Sequence, residues 1–101
     1  MPLTDQQLDL ALKALASRPR REILCAIDEA MHEPGKDCCN PGEICASKLC
    51  ERVGLSAPTI SYHTTVLVGA GLVDARSDGK WVYYSLVRES LHEVAASIVR
   101  S

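Results

Sequence analysis

A helix opened by Ser56-Ala57-Pro58 and closed near Ala70-Gly71, followed by an Asp78-Gly79 turn between two β-rich runs, predicts a mainly α-helical domain with a β-hairpin wing. In chain order the pattern is four helices, a hairpin and a last helix, which is a winged helix-turn-helix. At 101 residues there is room for one domain, residues 1–101, and a small one that buries a modest share of its surface.

Leu8, Ala11, Leu12 and Leu15 recur at helical spacing across residues 5–16, an amphipathic helix opened by Thr4 or Asp5. Ser17-Arg18-Pro19 interrupts it. A second helix runs from about Pro19 to Met31, with Ile23, Leu24, Ile27 and Met31 inward. Cys25 falls near the edge of that stripe and reads as a small buried hydrophobe. His32 to Gly42 is rich in Pro, Gly, Asn and Asp and is expected to be a surface loop. Helical pattern returns from Glu43 to Val53, with Ile44, Leu49 and Val53 inward, and Gly54 ends it.

The helix from Ser56 follows across a Gly54-Leu55 turn and so takes the second, groove-reading position. Ser56 in the N-cap place offers an acceptor to free backbone N–H groups, and Pro58 in the first turn gives up no helical bond. At about 100° per residue, Thr64, Leu67 and Val68 share the face of Ile60, while Pro58, Thr59, Tyr62, Thr65 and Val66 point away. The outward face is thus mostly uncharged hydrogen-bonding groups. Leu72 to Arg76 and Trp81 to Leu86, joined by Ser77 to Lys80, form the wing, and either Trp81 and Tyr83 or Val82 and Tyr84 belong to the core. Leu91, Val94, Ala95, Ile98 and Val99 then stripe a last helix, with Glu89, Glu93 and Arg100 outside. Its apolar face and that of the first helix are most economically covered by a two-fold homodimer.

A composition of 47% hydrophobic and 24% charged residues, with no long apolar segment and no signal peptide, predicts a soluble cytoplasmic domain with no membrane partner. The net charge of −2 argues mildly against nucleic acid, but residues 44 to 85 carry one net positive charge, and Arg18, Arg20 and Arg21 cluster upstream. Double-stranded DNA is the expected partner. Its contacts are assigned to Pro58, Thr59, Ser61, Tyr62, His63 and Thr65, with Ser56 on a phosphate at the helix N-terminus and Arg76 and Lys80 from the wing.

Cys25, Cys38, Cys39, Cys45 and Cys50 make an odd number, and four of them lie within thirteen residues. Reactive thiols or a metal site are the readings, rather than a disulfide framework.

Several stretches together resemble the ArsR/SmtB family of metal- and thiol-sensing winged-helix repressors. They are Leu12 to Ala16 through Arg20 and Ile23-Leu24, Leu55 to His63, Leu67 with Ala70 to Val73, and Gly79 to Leu86. The resemblance implies a homodimer joined through its first and last helices, which binds an imperfect inverted repeat in its own promoter and is released by an effector. Family members usually carry leucine where Thr64 stands and a basic-acidic pair where Val68-Gly69 stands. Thr64 is expected to bond back to the Ile60 carbonyl, and Gly69, at about 1 kcal/mol relative to alanine, to loosen the helix end. Arsenic-responsive members carry Glu-Leu-Cys-x-Cys-x-x-Cys before the reading helix. Here Glu43-Ile44-Cys45-Ala46-Ser47-Lys48-Leu49-Cys50 keeps the first and third cysteines and has Ser47 for the middle one.

No obligatory cofactor is expected, and two effector chemistries stay open at Cys38, Cys39, Cys45 and Cys50. Soft thiolates select As(III) or another thiophilic ion, and Cys38-Cys39 plus Cys45 make a three-sulfur site that draws the loop onto the start of the reading unit. Alternatively, peroxide forms a sulfenic acid that a neighbouring thiol resolves. A Cys38-Cys39 disulfide, with Cα atoms about 3.8 Å apart against a usual range of about 4.4–6.8 Å, is strained and easily reduced. His92 with Glu89 or Glu93 reads as solvated rather than zinc-binding. An enzymatic role as a dithiol oxidoreductase lacks both Cys-x-x-Cys spacing and a βαβ pattern, so the chain is not expected to be an enzyme. A winged helix without effector sensing, or one used as a protein-interaction module, completes the alternatives.

Overall fold

Thr4 and Gln7 cap each other: the Thr4 hydroxyl accepts from the Gln7 amide at 3.1 Å and the Thr4 amide donates to Gln7 Oε1 at 2.9 Å. This capping box opens helix α1 (Asp5–Leu15). The computed structural model describes residues 3–32 and 42–100, so Cys38 and Cys39 lie outside the described residues. Ser17 caps α2 (Arg18–Met31), with Pro19 in its first turn. Next come strand β1 (Ile44–Cys45), helices α3 (Ala46–Val53) and α4 (Ala57–Gly69), strands β2 (Val73–Asp78) and β3 (Trp81–Leu86), and helix α5 (Arg88–Arg100). The winged helix-turn-helix is therefore as expected.

One boundary differs. The helix expected from Glu43 begins at Ala46, because Ile44 and Cys45 are taken up as a short strand on the free edge of β3. Ile44 pairs with Tyr84 and Cys45 with Tyr83, giving a three-stranded antiparallel sheet of order β1-β3-β2. Ile44 and Cys45 are both buried, and their extended backbone satisfies the edge of β3, which a helix in their place would leave unpaired. β2 and β3 pair from Val73–Leu86 to Asp78–Trp81, so the turn is only Gly79-Lys80, tighter than the four-residue connection expected. Gly79 has φ +61° and no described non-glycine residue, Lys80 included, has positive φ, the pattern of a type II′ turn with glycine first.

The core gathers Ile23 and Ile27 of α2, Ile44, Leu49 of α3, Ile60 and Leu67 of α4, Leu72, Val73 and Val94. Truncating any of the isoleucines or leucines among these to alanine costs about 2–5 kcal/mol where the site cannot collapse. Of the two aromatic alternatives on β3, Tyr84 is buried and Val82 packs against the core, while Trp81 is half exposed. Cys25 departs from the sequence reading: it is exposed, lying about 200° around α2 from Ile23. The stripe on α1 is also thinner than the spacing suggested. Ala11 and Ala14 are buried, while Leu12 stands 39% exposed and Leu10 54%.

Candidate nucleic-acid interface

Helix α4 begins at Ala57 with Ser56 in the N-cap conformation, but the Ser56 hydroxyl is not on the backbone. It shares a 2.9 Å hydrogen bond with the Thr59 hydroxyl instead, correcting the expected serine cap. The far end closes as predicted. Gly71, at φ +77°, lets Leu72 N–H reach the Leu67 carbonyl and Gly71 N–H reach that of Val68, each at 3.0 Å, a Schellman closure.

Ile60, Thr64 and Leu67 face inward as expected, but the buried arc is turned toward His63 and Val66. Val66 is half-buried and Val68 is 39% exposed, the reverse of the sequence reading for that pair. The cause is the neighbour on that side: α1 and α2 pack there, and Arg20 of α2 reaches across to α4. Arg20 Nε donates to the Ala14 carbonyl at 2.8 Å, and its Nη1 lies 3.3 Å from His63 Nδ1. A guanidinium can only donate, so Nδ1 must accept and the neutral ring keeps its proton on Nε2. Burial first, and the Arg20 charge second, push the His63 pKa down. His63 therefore offers an N–H donor rather than a cation.

The outward arc carries Pro58, Ser61, Tyr62 and Thr65, all exposed, with Tyr62 at 62%. Thr59 is half-buried. Thr65 donates to the Ser61 carbonyl at 2.7 Å, so its hydroxyl proton is engaged while its lone pairs remain. Thr64 is the one buried polar residue among those described, and it bonds back to Ile60 O at 2.9 Å as expected. Its hydroxyl also lies 3.2 Å from the Tyr84 hydroxyl, a joint between reading helix and wing that only the fold reveals.

On the wing, Arg76 is committed to two hydrogen bonds with Glu43, each 2.8 Å, and its guanidinium sits 4.5 Å from the Tyr83 ring centroid. A phosphate must therefore compete with Glu43, a partner thirty-three positions away that sequence reasoning missed because no local pattern signals it. Lys80 projects from the turn with Nζ 5.5 Å from the Trp81 ring.

Cys45 is buried in the N-cap position of α3, with Sγ 3.7 Å from the Ser47 hydroxyl; Cys50 is half-buried. The Cys45 backbone pairs with Tyr83 in the sheet, so this one residue joins wing strand and helix-turn-helix. Among the described residues, no group of three or more His, Cys, Asp or Glu side chains is placed to hold a metal ion. Cys45 and Cys50 by themselves do not make the three-sulfur set.

The model of the bacterial regulatory protein, arsR family, matches residues 37–75. The arsenical resistance operon repressor of Staphylococcus aureus is 32% identical over 93 residues, covering 92% of this chain and 78% of that protein. An uncharacterised HTH-type transcriptional regulator of Methanocaldococcus jannaschii is 36% identical over 53 residues, 52% of this chain and 60% of that protein. Among solved structures, a possible transcriptional regulator for arsenical resistance aligns with a TM-score of 0.66 at 29% identity, over 95% of this chain and 82% of that one.

Proposed function

The chain belongs to the ArsR family of bacterial DNA-binding transcriptional regulators, and from that premise we propose that it is a dimeric repressor of an inverted-repeat operator, released by chemistry at its cysteines. The observation that carries the DNA half is the split of α4: Ile60, Thr64 and Leu67 are buried while Pro58, Ser61, Tyr62 and Thr65 are exposed beside a wing. Two copies joined through α1 and α5 would present two such helices to successive major grooves, about 34 Å apart. Support for that join is the exposed apolar set Leu10, Leu12, Ile98 and Val99 on those helices.

In this reading Tyr62, Ser61 and Thr65 contact base edges or sugars, and Pro58 and Thr59 sit against the groove wall. Ser56 meets a phosphate, His63 donates through Nε2, and Lys80 enters from the wing; Arg76 makes its contact only by leaving Glu43.

For the effector, soft metal(loid) binding through Cys45 is favoured, with Cys38, Cys39 and Cys50 as the remaining donors. Two observations support it. Ser47, in the place of the missing cysteine of the arsenic-responsive pattern, has its hydroxyl beside Cys45 Sγ, and repressors of arsenical resistance are among the relatives. Because Cys45 belongs to both the β1–β3 pairing and the N-cap of α3, a bond formed at its sulfur strains wing and reading unit together. Gel-shift on the DNA upstream of its own gene tests both halves. Retardation should be lost on adding arsenite and restored by excess dithiol; release by peroxide but not arsenite would replace metal(loid) sensing with oxidation. DNA binding indifferent to both reagents would remove the sensing half.

A further inference from the structure

We propose that the groove between the start of α4, helix α3 and the β3 strand of the wing is a binding site for a small aromatic anion, whose occupancy and DNA binding exclude one another. The groove encloses about 630 Å³, within the range of pockets that hold small organic ligands. Its floor is apolar, made by Ile60 and Tyr84, both buried, with Leu55 and Val82 beside them. One wall is Trp81, the only tryptophan of the chain, which is 50% exposed and so presents ring surface to whatever enters. An aromatic ring laid against the indole covers apolar area on both partners.

The charge is one-sided. Lys80 lines the groove with Nζ 5.5 Å from the Trp81 ring, and among the described residues no acidic side chain lines it. Ser56 and Ala57, at the start of the thirteen-residue helix α4, line it too, and the Ser56 hydroxyl is turned to Thr59 rather than to the backbone. A carboxylate or sulfonate entering there therefore meets the ammonium group and the positive end of the helix together. A neutral ligand of the same shape keeps only the ring contact.

The second half of the proposal rests on the reading of α4 and the wing given above. Ser56, Ser61 and Lys80, assigned there to DNA, all line this groove. A ligand seated among them occupies the positions a phosphate strand would take, so each binder must weaken the other by the same factor.

The test is a titration of the ¹⁵N-labelled full chain with 1-naphthoate and, separately, with the neutral 1-naphthalenemethanol. Expected are saturable shifts at Ala46, Ala57, Ser61, Lys80 and the Trp81 indole N–H, with a Kd for naphthoate at or below about 1 mM. The alcohol should bind about tenfold more weakly, and Lys80→Ala should weaken naphthoate by a similar factor while leaving the alcohol unchanged. Naphthoate should also release a fluorescein-labelled duplex of the upstream DNA, with an apparent affinity that falls as duplex concentration rises. Shifts absent or centred on α1 and α5, or equal binding of acid and alcohol, would overturn the site. Simultaneous, independent binding of duplex and naphthoate would overturn the exclusion. If the ligand-free protein binds no duplex, the function proposed for α4 falls, while the naphthoate and Lys80→Ala arms still decide the groove.

Discussion

The outward arc of α4 and the outward faces of α1 and α5 are both solvent-exposed, yet they are built from opposite materials. Around Tyr62 the exposed groups are hydroxyls, an amphipathic ring and a proline. On α1 and α5 they include the apolar Leu10, Leu12, Ile98 and Val99, the last 83% exposed, set among charged neighbours such as Asp9 and Lys13. Exposure alone therefore says little about the use of a surface. A polar, nearly uncharged arc gains by exchanging water for base and phosphate oxygens, whereas an apolar stripe gains by being removed from water altogether. The electrostatics agree: Arg18, Arg52, Arg76 and Arg88 all lie within ion-pair distance of carboxylates. Paired in this way, these four arginines add little to non-specific attraction, which puts more of the affinity on fit and on joining two reading helices.

The strongest way to break this contrast is to put charge on the apolar side. Leu12→Glu combined with Val99→Glu is expected to yield a folded monomer by light scattering, with operator affinity lowered at least about 100-fold because the second half-site is no longer tethered to the first. A variant that stays dimeric would show that the terminal faces are not the join. On the polar side, Tyr62→Ala should lower affinity for the upstream duplex about 10- to 100-fold, a change of about 1–3 kcal/mol. Its unfolding midpoint should stay within the roughly ±0.5 kcal/mol of an ordinary surface substitution. Loss of stability instead of affinity would make Tyr62 a packing residue.

A smaller effect is expected where the two regimes meet, at the buried Thr64–Tyr84 joint. Thr64→Val keeps the shape but strands the Tyr84 hydroxyl, at a cost of about 1–3 kcal/mol in denaturant unfolding, and Tyr84→Phe strands Thr64 less, since the Ile60 carbonyl still accepts from it. The double variant should recover part of the loss, with a coupling of about 0.5–3 kcal/mol. Strict additivity would mean that the two hydroxyls do not interact.

The sequence exposed what is local and periodic. The glycine stop at Gly71, the hairpin at Gly79, the capped start of α1 and the back-bond of Thr64 each depend on residues within a turn or two, and each is found. Apart from the Ser56 hydroxyl, drawn to Thr59 three residues on, the clearest misses depend on partners far along the chain. Ile44 and Cys45 continue a helical pattern, but the open edge of β3 claims them as a strand. Arg76 looked like a free wing cation until Glu43 came within 2.8 Å, and the inward arc of α4 could not be set without knowing that Arg20 reaches His63. The thiol reading is half visible: Cys45 and Cys50 are placed, whereas Cys38 and Cys39 fall outside the described residues.

His63 gives the smallest and most discriminating difference between the two faces, because its ring is held by the Arg20 guanidinium of α2. Its pKa is lowered from 6.5, by burial and then by Arg20, so the folded state binds its proton less readily than the unfolded chain does. The unfolded state thus takes up more protons as pH falls. His63 contributes nothing unfavourable above about pH 6.5, and the folded state loses stability as pH drops from there through the depressed folded value. His63→Gln can still accept from Arg20 through its amide oxygen but does not titrate. The wild-type melting temperature should therefore fall further between pH 7 and pH 5 than that of H63Q, while the two run parallel above pH 7. If the curves stay parallel across that interval, the Arg20–His63 contact does not hold the ring neutral, and the donor role assigned to Nε2 at the DNA goes with it.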